Sequence, residues 1–397
     1  MHAGLIEWLR RARPGLRPVF LSNNPDETTR VYGVESVLSP DASLAQAWTR
    51  ETPVSTRQRI GNYGRGMRFI AGRNEFRDQL AGAAACFIPG TGSMNSLWWH
   101  DWLYVKTWQT LAARRAGVPV FATSQGVGPE FFHRLDRLAA RLMFNACQLA
   151  GVRDGAQSAD LLLSCGVKPA RIVHTGDDAL LVAPDTQAAE RLLGGFSERR
   201  PLISLNLRDS SGYRKKYPKP AWDFWKDLVR TLAAHPSAPN FLFVPISYNS
   251  GDDDRVPARR LIEILEAEGI ARERFFLPED ELEAPALRAL AERADLAIGI
   301  SYHFLVFSLT AGIPAFGLWQ NPYYQTKTTG LMALHGLPDH AIELEKADPV
   351  ALADRALAVL ETPASVRDPL RSTLARLARE SSSARDRILA LLPANAP

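Results

Sequence analysis

DLAIGISYHFLVFSLTAGIPAFGLWQNPYYQTKTTG, residues 295–330, is the stretch that decides the fold. Asp295–Ile300 is a short apolar run and reads as a strand. A sharp turn follows, then a short helix, a second strand and a polar, aromatic loop. Strand, helix and strand in this order make a parallel α/β unit. His303 stands just past the carboxyl end of the first strand, where the helix begins. Ligands of open α/β sheets bind at that end, and a helix start offers free N–H groups and partial positive charge. His303 and Lys327 are therefore expected to face an anionic substrate. The longest apolar run, about residues 296–318, is interrupted by Gly299, His303, Gly312 and Pro314. It reads as a buried strand–helix–strand and not as a bilayer span.

The same alternation extends backward. Strand Leu202–Leu207, helix Ala221–Ala234, strand Phe241–Ile246, helix Val256–Glu268, strand Phe275–Leu277 and helix Ala284–Ala294 precede the opening stretch. Pro184–Arg200, rich in Ala, Glu, Arg and Gly, reads as a linker. Before it lie a helix at Gly4–Arg13, a strand at Pro18–Leu21, the turn-like SNNPDE and a polar, weakly periodic segment at 40–80. Strand Leu80–Ile88, helix Leu103–Ala116, strand Pro119–Thr123, helix Phe131–Cys147, strand Leu149–Arg153, helix Gly155–Ser164 and strand Arg171–His174 complete this half. From Asp348 the pattern is helical to Leu392, with a break at Pro363. The expected fold is α/β, with two Rossmann-like parallel-sheet domains and C-terminal helices. The expected boundaries are 1–185, 200–345 and a helical segment at 346–397. A doubly wound domain normally has a strand before its first helix; here that strand is read as missing. Ligand is expected in the cleft between the domains.

At 397 residues, 46% hydrophobic and 23% charged, the composition is that of a soluble globular protein with room for two cores. A net charge of +4 suits an anionic small molecule, a membrane surface or nucleic acid and selects none of them. No nucleic-acid motif, repeat, signal peptide or metal-ligand spacing is read. Cys86, Cys147 and Cys165 are odd in number, and the expectation is free thiols in a reducing cytosol.

Several stretches carry candidate chemistry. Gly90, Gly92 and Ser93, in GTGS after a strand, let backbone N–H groups approach a ligand or make a ligand-free tight turn. LWWHDWLYVKTW, residues 97–108, reads as core-packing tryptophans or as sugar-stacking ones. His100 and Asp101 within it are acceptor contacts or a solvated pair. Gln125, in SQGVGP, is a ligand contact or part of a strand–helix turn. Arg153 is an anion fork or half of an internal Arg–Asp pair, and Asp154 a helix cap. Asn206 and Arg208 end the first strand of the second domain. Arg214, Lys215, Lys216 and Lys219 follow, as a solvated basic loop or an anion-facing one. The Phe131–Phe144 helix, with Arg134, Arg137 and Arg141, packs on the first sheet or meets an anionic membrane.

Taken in order, GTGS at 90–93, SQGVGP at 124–129, VRDGAQSADLL at 152–162, TGDDALL at 175–181, ISLNLR at 203–208, AIGISYH at 297–303, YQTKTTG at 324–330 and GLPD at 336–339 resemble the polysaccharide pyruvyl transferase family. The resemblance runs from the N-terminus to about residue 345. It implies a GT-B-like fold and transfer of the pyruvyl group of phosphoenolpyruvate to two sugar hydroxyls, giving a cyclic ketal. By position it places Arg153, Arg208, His303 and Lys327 at the active site, with His303 and Lys327 catalytic. Asn206, Gly90, Gly92, Ser93, Gln125, Ser301 and Tyr324 are the accompanying substrate contacts. It implies phosphoenolpyruvate as donor with no separate cofactor, a glycan or lipid-linked oligosaccharide as acceptor, and a cytoplasmic site of action, with peripheral membrane contact as an open alternative. Two departures accompany it. Ser301 stands where many members have Arg, two residues before the matched His. The strand and Gly-rich acidic loop that usually precede the first helix are also read as missing, as a late start or a truncated gene would leave them. A GT-B-like glycosyltransferase using a nucleotide sugar and a non-catalytic relative are the competing readings.

Overall fold

The computed structural model describes residues 2–39, 55–72, 75–96, 100–196, 201–208, 221–249 and 252–393, without the side chains of Ser93, His100 and Asp101. Trp98, Trp99 and the basic residues Arg214, Lys215, Lys216 and Lys219 lie outside the described residues. The chain forms two compact units. One comprises the residues up to Val182 together with those from Ala378; the other is Ala183–Leu377.

The first unit opens with helix α1 (His2–Ala12), which buries Leu5, Ile6 and Leu9. Strands β1 (Val19–Ser22) and β2 (Glu35–Leu38) pair in parallel across helix α2 (Pro25–Tyr32). They form a separate two-stranded sheet, so the strand expected at 18–21 does not join the main one. SNNPDE is a helix start: Asn24 accepts from the Glu27 N–H at 3.4 Å and Pro25 opens α2. Within the weakly periodic 40–80 segment lie α3 (Thr56–Ala71), with a complete Ser55–Gln58 capping box, and α4 (Glu75–Gln79). Strand β3 (Cys86–Ile88) and strand β4 (Thr91–Met94) precede α5 (His100–Arg115). Then follow β5 (Val120–Val127), α6 (Arg134–Ala146), β6 (Leu149–Val152), α7 (Ala156–Ser164) and β7 (Ile172–His174). The sheet order is β3-β5-β6-β7, all parallel, with β4 also pairing on β5. GTGS is thus extended chain beside β5. The three cysteines are free thiols, and burial pushes Cys86 up to about 11 and Cys147 up to about 12.

The second unit begins with α8 (Thr186–Leu193), capped by Asp185. The segment expected as a linker therefore holds a helix of this unit, tied down where the Asp185 N–H donates to the Pro285 carbonyl. Strand β8 (Leu202–Asn206), α9 (Trp222–Ala234) and β9 (Asn240–Phe243) lead to a small hairpin, β10 (Tyr248–Asn249) with β11 (Asp252–Asp253). Helix α10 (Arg255–Ala267), β12 (Phe275–Phe276), α11 (Ala284–Ala291), β13 (Leu296–Gly299), α12 (Tyr302–Thr310) and β14 (Ala315–Trp319) follow. The polar, aromatic tail of the opening stretch is a helix, α13 (Pro322–Leu334), where a loop was expected. Asn321 caps it by accepting from the Tyr324 N–H at 3.0 Å, and Pro322 supplies its first residue. Strand β15 (Ala341–Glu343), α14 (Pro349–Glu361) and α15 (Ala364–Leu391) end the chain, with the helix break at Pro363 as read. Residues of α15 from Ala378 on belong with the first unit, so segment 346–397 divides between the two. There Ala384 and Ile388 pack against Phe121, Leu149 and Val173.

The main sheet of the second unit runs β12-β9-β8-β13-β14-β15, all parallel. Leaving the hairpin aside, this is the 3-2-1-4-5-6 order of a Rossmann sheet, whose switch point lies between β8 and β13. Its core includes Leu228, Phe241, Phe243, Leu261, Ile298 and Phe316. Helix α13 sits on β14 through Gly317, where a Cβ would lie 2.5 Å from Thr328 Cγ2 and 2.8 Å from Met332 Cε. Gly317→Ala should cost about 1–3 kcal/mol through overpacking. A urea-unfolding midpoint equal to wild type would show that α13 is not held this closely.

Candidate functional site

At the switch point, the carboxyl ends of β8 and β13 are bolted together by one side chain. Asn206, 1% exposed, accepts from the Ser301 N–H through Oδ1 at 2.9 Å. Its Nδ2 donates to the Val244 carbonyl at 2.9 Å and to Asp254 Oδ2 at 3.1 Å. Asp254 also takes the N–H groups of Ile246 and Ser247, and burial pushes its carboxyl above the usual range. Asn206 therefore works as a clamp on three strand ends, with its polar atoms turned to protein. Asn206→Asp is isosteric but turns oxygen toward the Val244 carbonyl and the Asp254 carboxylate. The loss should be about 2–4 kcal/mol, read in urea unfolding; an Asp variant as stable as wild type would remove the clamp.

Two residues on, Arg208 pairs with Asp252 of the hairpin through both Nε and Nη2. Burial works against its charge, but Tyr324, Asp252 and Asp254 outweigh burial and hold the guanidinium above its ordinary value. Arg208 keeps 19% side-chain exposure. It is a permanent cation at the end of β8, with Tyr324 of α13 beside it.

Ser301, 2% exposed, caps α12 with its backbone: its carbonyl accepts from the Leu305 N–H at 3.1 Å. Tyr302 and His303 form the first turn. The core face of this helix is Phe304, Leu305, Phe307 and Leu309, leaving His303 half-buried. Its ring meets Tyr302 edge-on at 5.7 Å. The Lys327 ammonium lies 5.9 Å from the centroid of the same Tyr302 ring and donates to the Tyr323 hydroxyl. Tyr302 is thus a neighbour that His303 and Lys327 share. Tyr324 packs partly on the core and meets Tyr323 edge-on at 5.4 Å.

Asn206, Arg208, Ser301, His303, Tyr324 and Lys327 all belong to the second unit; Gly90, Gly92, Ser93, Gln125 and Arg153 belong to the first. In the first unit Gln125 is fully buried in β5, and its Nε2 donates to the carbonyls of Ile88, Pro89 and Thr123. Ser124 before it holds a left-handed φ of 55°, sparsely populated for a residue with a Cβ. Its N–H donates to Thr175 Oγ1, and its hydroxyl accepts from the Asp178 N–H. Arg153, 3% exposed, is paired with Asp177 at 2.9 Å and lies over Gly126, where a Cβ would sit 3.0 Å from its Nε. The internal Arg–Asp pair is real, but the partner is 24 residues away and not Asp154. Asp154 instead caps α7 through Ser158. Asp178 accepts from Thr123 and from Arg385 of α15, and burial pushes its carboxyl up. In the aromatic segment, Trp108 is buried and Trp102 is 36% exposed under the Lys106 ammonium. Asp254, Asp252, Tyr302, Tyr323, Asp177 and Asp178 escaped the sequence reading. The Tyr323–Lys327 spacing on one helix was the available signal.

Among the described residues no cluster of three His, Cys, Asp or Glu is arranged to hold a metal ion, and no helix is long and apolar enough to cross a membrane. Several solved structures share the fold. The UDP-GlcNAc 2-epimerase of Neisseria meningitidis, bound to UDP-GlcNAc, is 13% identical with a TM-score of 0.60, covering 93% of this chain and 90% of its own. Anabaena HepE in complex with UDP-glucose is 13% identical with a TM-score of 0.54, covering 98% and 93%. The α,α-trehalose 6-phosphate synthase of Burkholderia multivorans is 14% identical with a TM-score of 0.54, covering 90% and 84%. At such identities the likeness speaks for the fold alone, which is GT-B-like. No curated protein sequence matches the chain. The family model for polysaccharide pyruvyl transferase matches residues 1–322, ending short of Tyr324 and Lys327. By that match over most of its length, this chain belongs to the polysaccharide pyruvyl transferase family.

Proposed function

We propose that this chain transfers the pyruvyl group of phosphoenolpyruvate to two hydroxyls of a sugar in an exopolysaccharide or cell-surface glycan, forming a pyruvate ketal. The observation that carries the reading is the gathering of Arg208, His303 and Lys327 about one Rossmann switch point in a member of this family. Phosphoenolpyruvate is a small, highly anionic donor. Arg208 offers a planar fork for its carboxylate or phosphate, and Lys327 a second cation. His303, as imidazolium, gives its proton to the methylene carbon, leaving a cation at the future ketal carbon. One sugar hydroxyl attacks that carbon. Phosphate then leaves and the second hydroxyl closes the ring. The scheme calls for no cofactor beyond the donor. In this reading the acceptor is a glycan or a lipid-linked oligosaccharide, met in the cytoplasm or at the inner face of the membrane.

The test is phosphate release from phosphoenolpyruvate with a panel of synthetic and lipid-linked glycosides, with the ketal identified by mass spectrometry. Absence of release with every acceptor would count against the proposal. A second reading, sugar transfer from a nucleotide sugar, is favoured by the structural neighbours described with UDP-GlcNAc and UDP-glucose. Thermal shift separates the two: stabilisation by phosphoenolpyruvate and not by UDP or GDP is expected, and the reverse selects the second reading.

A further inference from the structure

Ketal formation by the route above requires a proton acceptor as well as a donor. Two acceptor hydroxyls must each lose a proton, and His303, neutral once it has protonated the methylene carbon, can take back only one of them. The sequence YYQTK at 323–327 meets this need on one helix. Residues four apart lie on one face, and here the Lys327 ammonium donates to the phenol oxygen of Tyr323 and lies 3.9 Å from its ring centroid. An ammonium bound to a phenol oxygen favours the phenolate over the phenol. Tyr323 is also the second residue of α13, at the positive end of the helix dipole, which favours negative charge.

From α12, Tyr302 borders Lys327, and the His303 ring meets the same Tyr302 ring. From the end of β8, Arg208 interacts with Tyr324, the next residue along. The other two phenols suit the task less well. Tyr302 is buried at 6% exposure, and Tyr324 packs its ring partly on the core. Tyr323 is half-buried, reachable by an acceptor while partly shielded from water.

We propose that Tyr323 is a catalytic residue, the general base that takes the proton of the attacking sugar hydroxyl, with Lys327 holding its phenolate. The assignment rests on the pyruvyl-transfer reading. The protons balance. His303 gives one to the methylene carbon as the first hydroxyl forms the C–O bond and passes its proton to the Tyr323 phenolate. The bond from the ketal carbon to the phosphate oxygen then breaks, and the Tyr323 phenol protonates the departing phosphate. The second hydroxyl attacks and gives its proton to the neutral His303. Both residues return to their starting states. One acceptor proton ends in the new methyl group and the other on phosphate. Lys327, with three N–H donors, serves Tyr323 with one and an anion of the donor with another.

Two measurements test this. Ultraviolet difference titration of tyrosinate in the whole protein should show one phenol titrating early. It should be absent from Tyr323→Phe and moved about one to three pH units higher in Lys327→Met. A titration identical in all three proteins overturns the Lys327–Tyr323 pairing. In phosphate-release kinetics, Tyr323→Phe should lower kcat by roughly 10²–10⁴-fold, keep KM for phosphoenolpyruvate within a few-fold, and flatten the acid limb of the pH–rate profile. Wild-type turnover with Tyr323→Phe at full kcat and an unchanged profile overturns this assignment alone. A wild type releasing no phosphate with any acceptor overturns the pyruvyl-transfer reading, and this assignment with it.

Discussion

Asp136→Ala should unfold the first unit more readily than any surface substitution, by about 3–5 kcal/mol. Asp136 on α6 is fully buried. Its carboxylate accepts from Arg59 Nε at 2.9 Å and Nη2 at 3.2 Å, from the Ser96 hydroxyl at 2.8 Å and from the Tyr104 hydroxyl at 2.8 Å. Four chain segments thus meet on one side chain. Burial, with Asp136 second, also holds the Tyr63 and Tyr104 phenols well above their ordinary range, so both stay protonated. Alanine would take the carboxylate away from a guanidinium with 10% side-chain exposure and from the Ser96 and Tyr104 hydroxyls. A loss of that size is a large fraction of the stability of an ordinary domain. Urea unfolding measures it, with hydrogen exchange of α3 and α6 as the local readout. The double variant Arg59→Met with Asp136→Leu should lose less than Asp136→Ala, because it buries no unpaired charge. A single variant within about 1 kcal/mol of wild type would mean the pair is screened like a surface one.

The same hub explains what could be read from the sequence and what could not. The central strands of both main sheets were legible because parallel strands are buried on both faces and appear as unbroken apolar runs. Leu149–Val152 and Leu296–Gly299 are such runs, buried throughout. The short strands β4 and β15 were not read, the first lying in the GTGS segment and the second only half-buried. Helix α3 was illegible because its buried face is Arg59, Asn62 and Gly66. A helix docked on a carboxylate carries no apolar period for the eye to find. Helix α13 was hidden for a related reason. It opens with Pro322 and buries Thr328, Gly330, Leu331 and Met332, so its aromatic and polar first turns resemble a loop. Of the candidate site, the position of His303 at a strand end was legible from local pattern. The partners of Arg153 and Arg208, at Asp177 and Asp252, were not. They are set by which strand ends the topology brings side by side, and spacing along the chain does not encode that.

His303→Ala should abolish turnover and leave the fold intact, which is a stricter expectation than loss of activity alone. Helix α12 is anchored by Phe304, Leu305, Phe307 and Leu309, and its start is fixed by the Asn206 clamp on the Ser301 N–H. His303 contributes to neither. Its ring contacts are with Tyr302 and Phe307, at 5.7 and 6.5 Å between centroids, and their loss should cost about 1 kcal/mol or less. On the proposed chemistry its removal takes away the acid that protonates the methylene carbon. That contribution is worth roughly 10²–10⁴-fold in kcat, since a positioned general acid acts mainly in the transition state. Binding of phosphoenolpyruvate should weaken far less, because Arg208 and Lys327 remain to meet its charges. The diagnostic pattern is therefore a collapsed kcat, a KM within a few-fold and a urea midpoint close to wild type. Arg208→Met should give the complementary result, with KM for phosphoenolpyruvate rising more than kcat falls. If His303→Ala instead raised KM and spared kcat, His303 would be a phosphate contact. The proton donor to the methylene carbon would then have to be sought elsewhere.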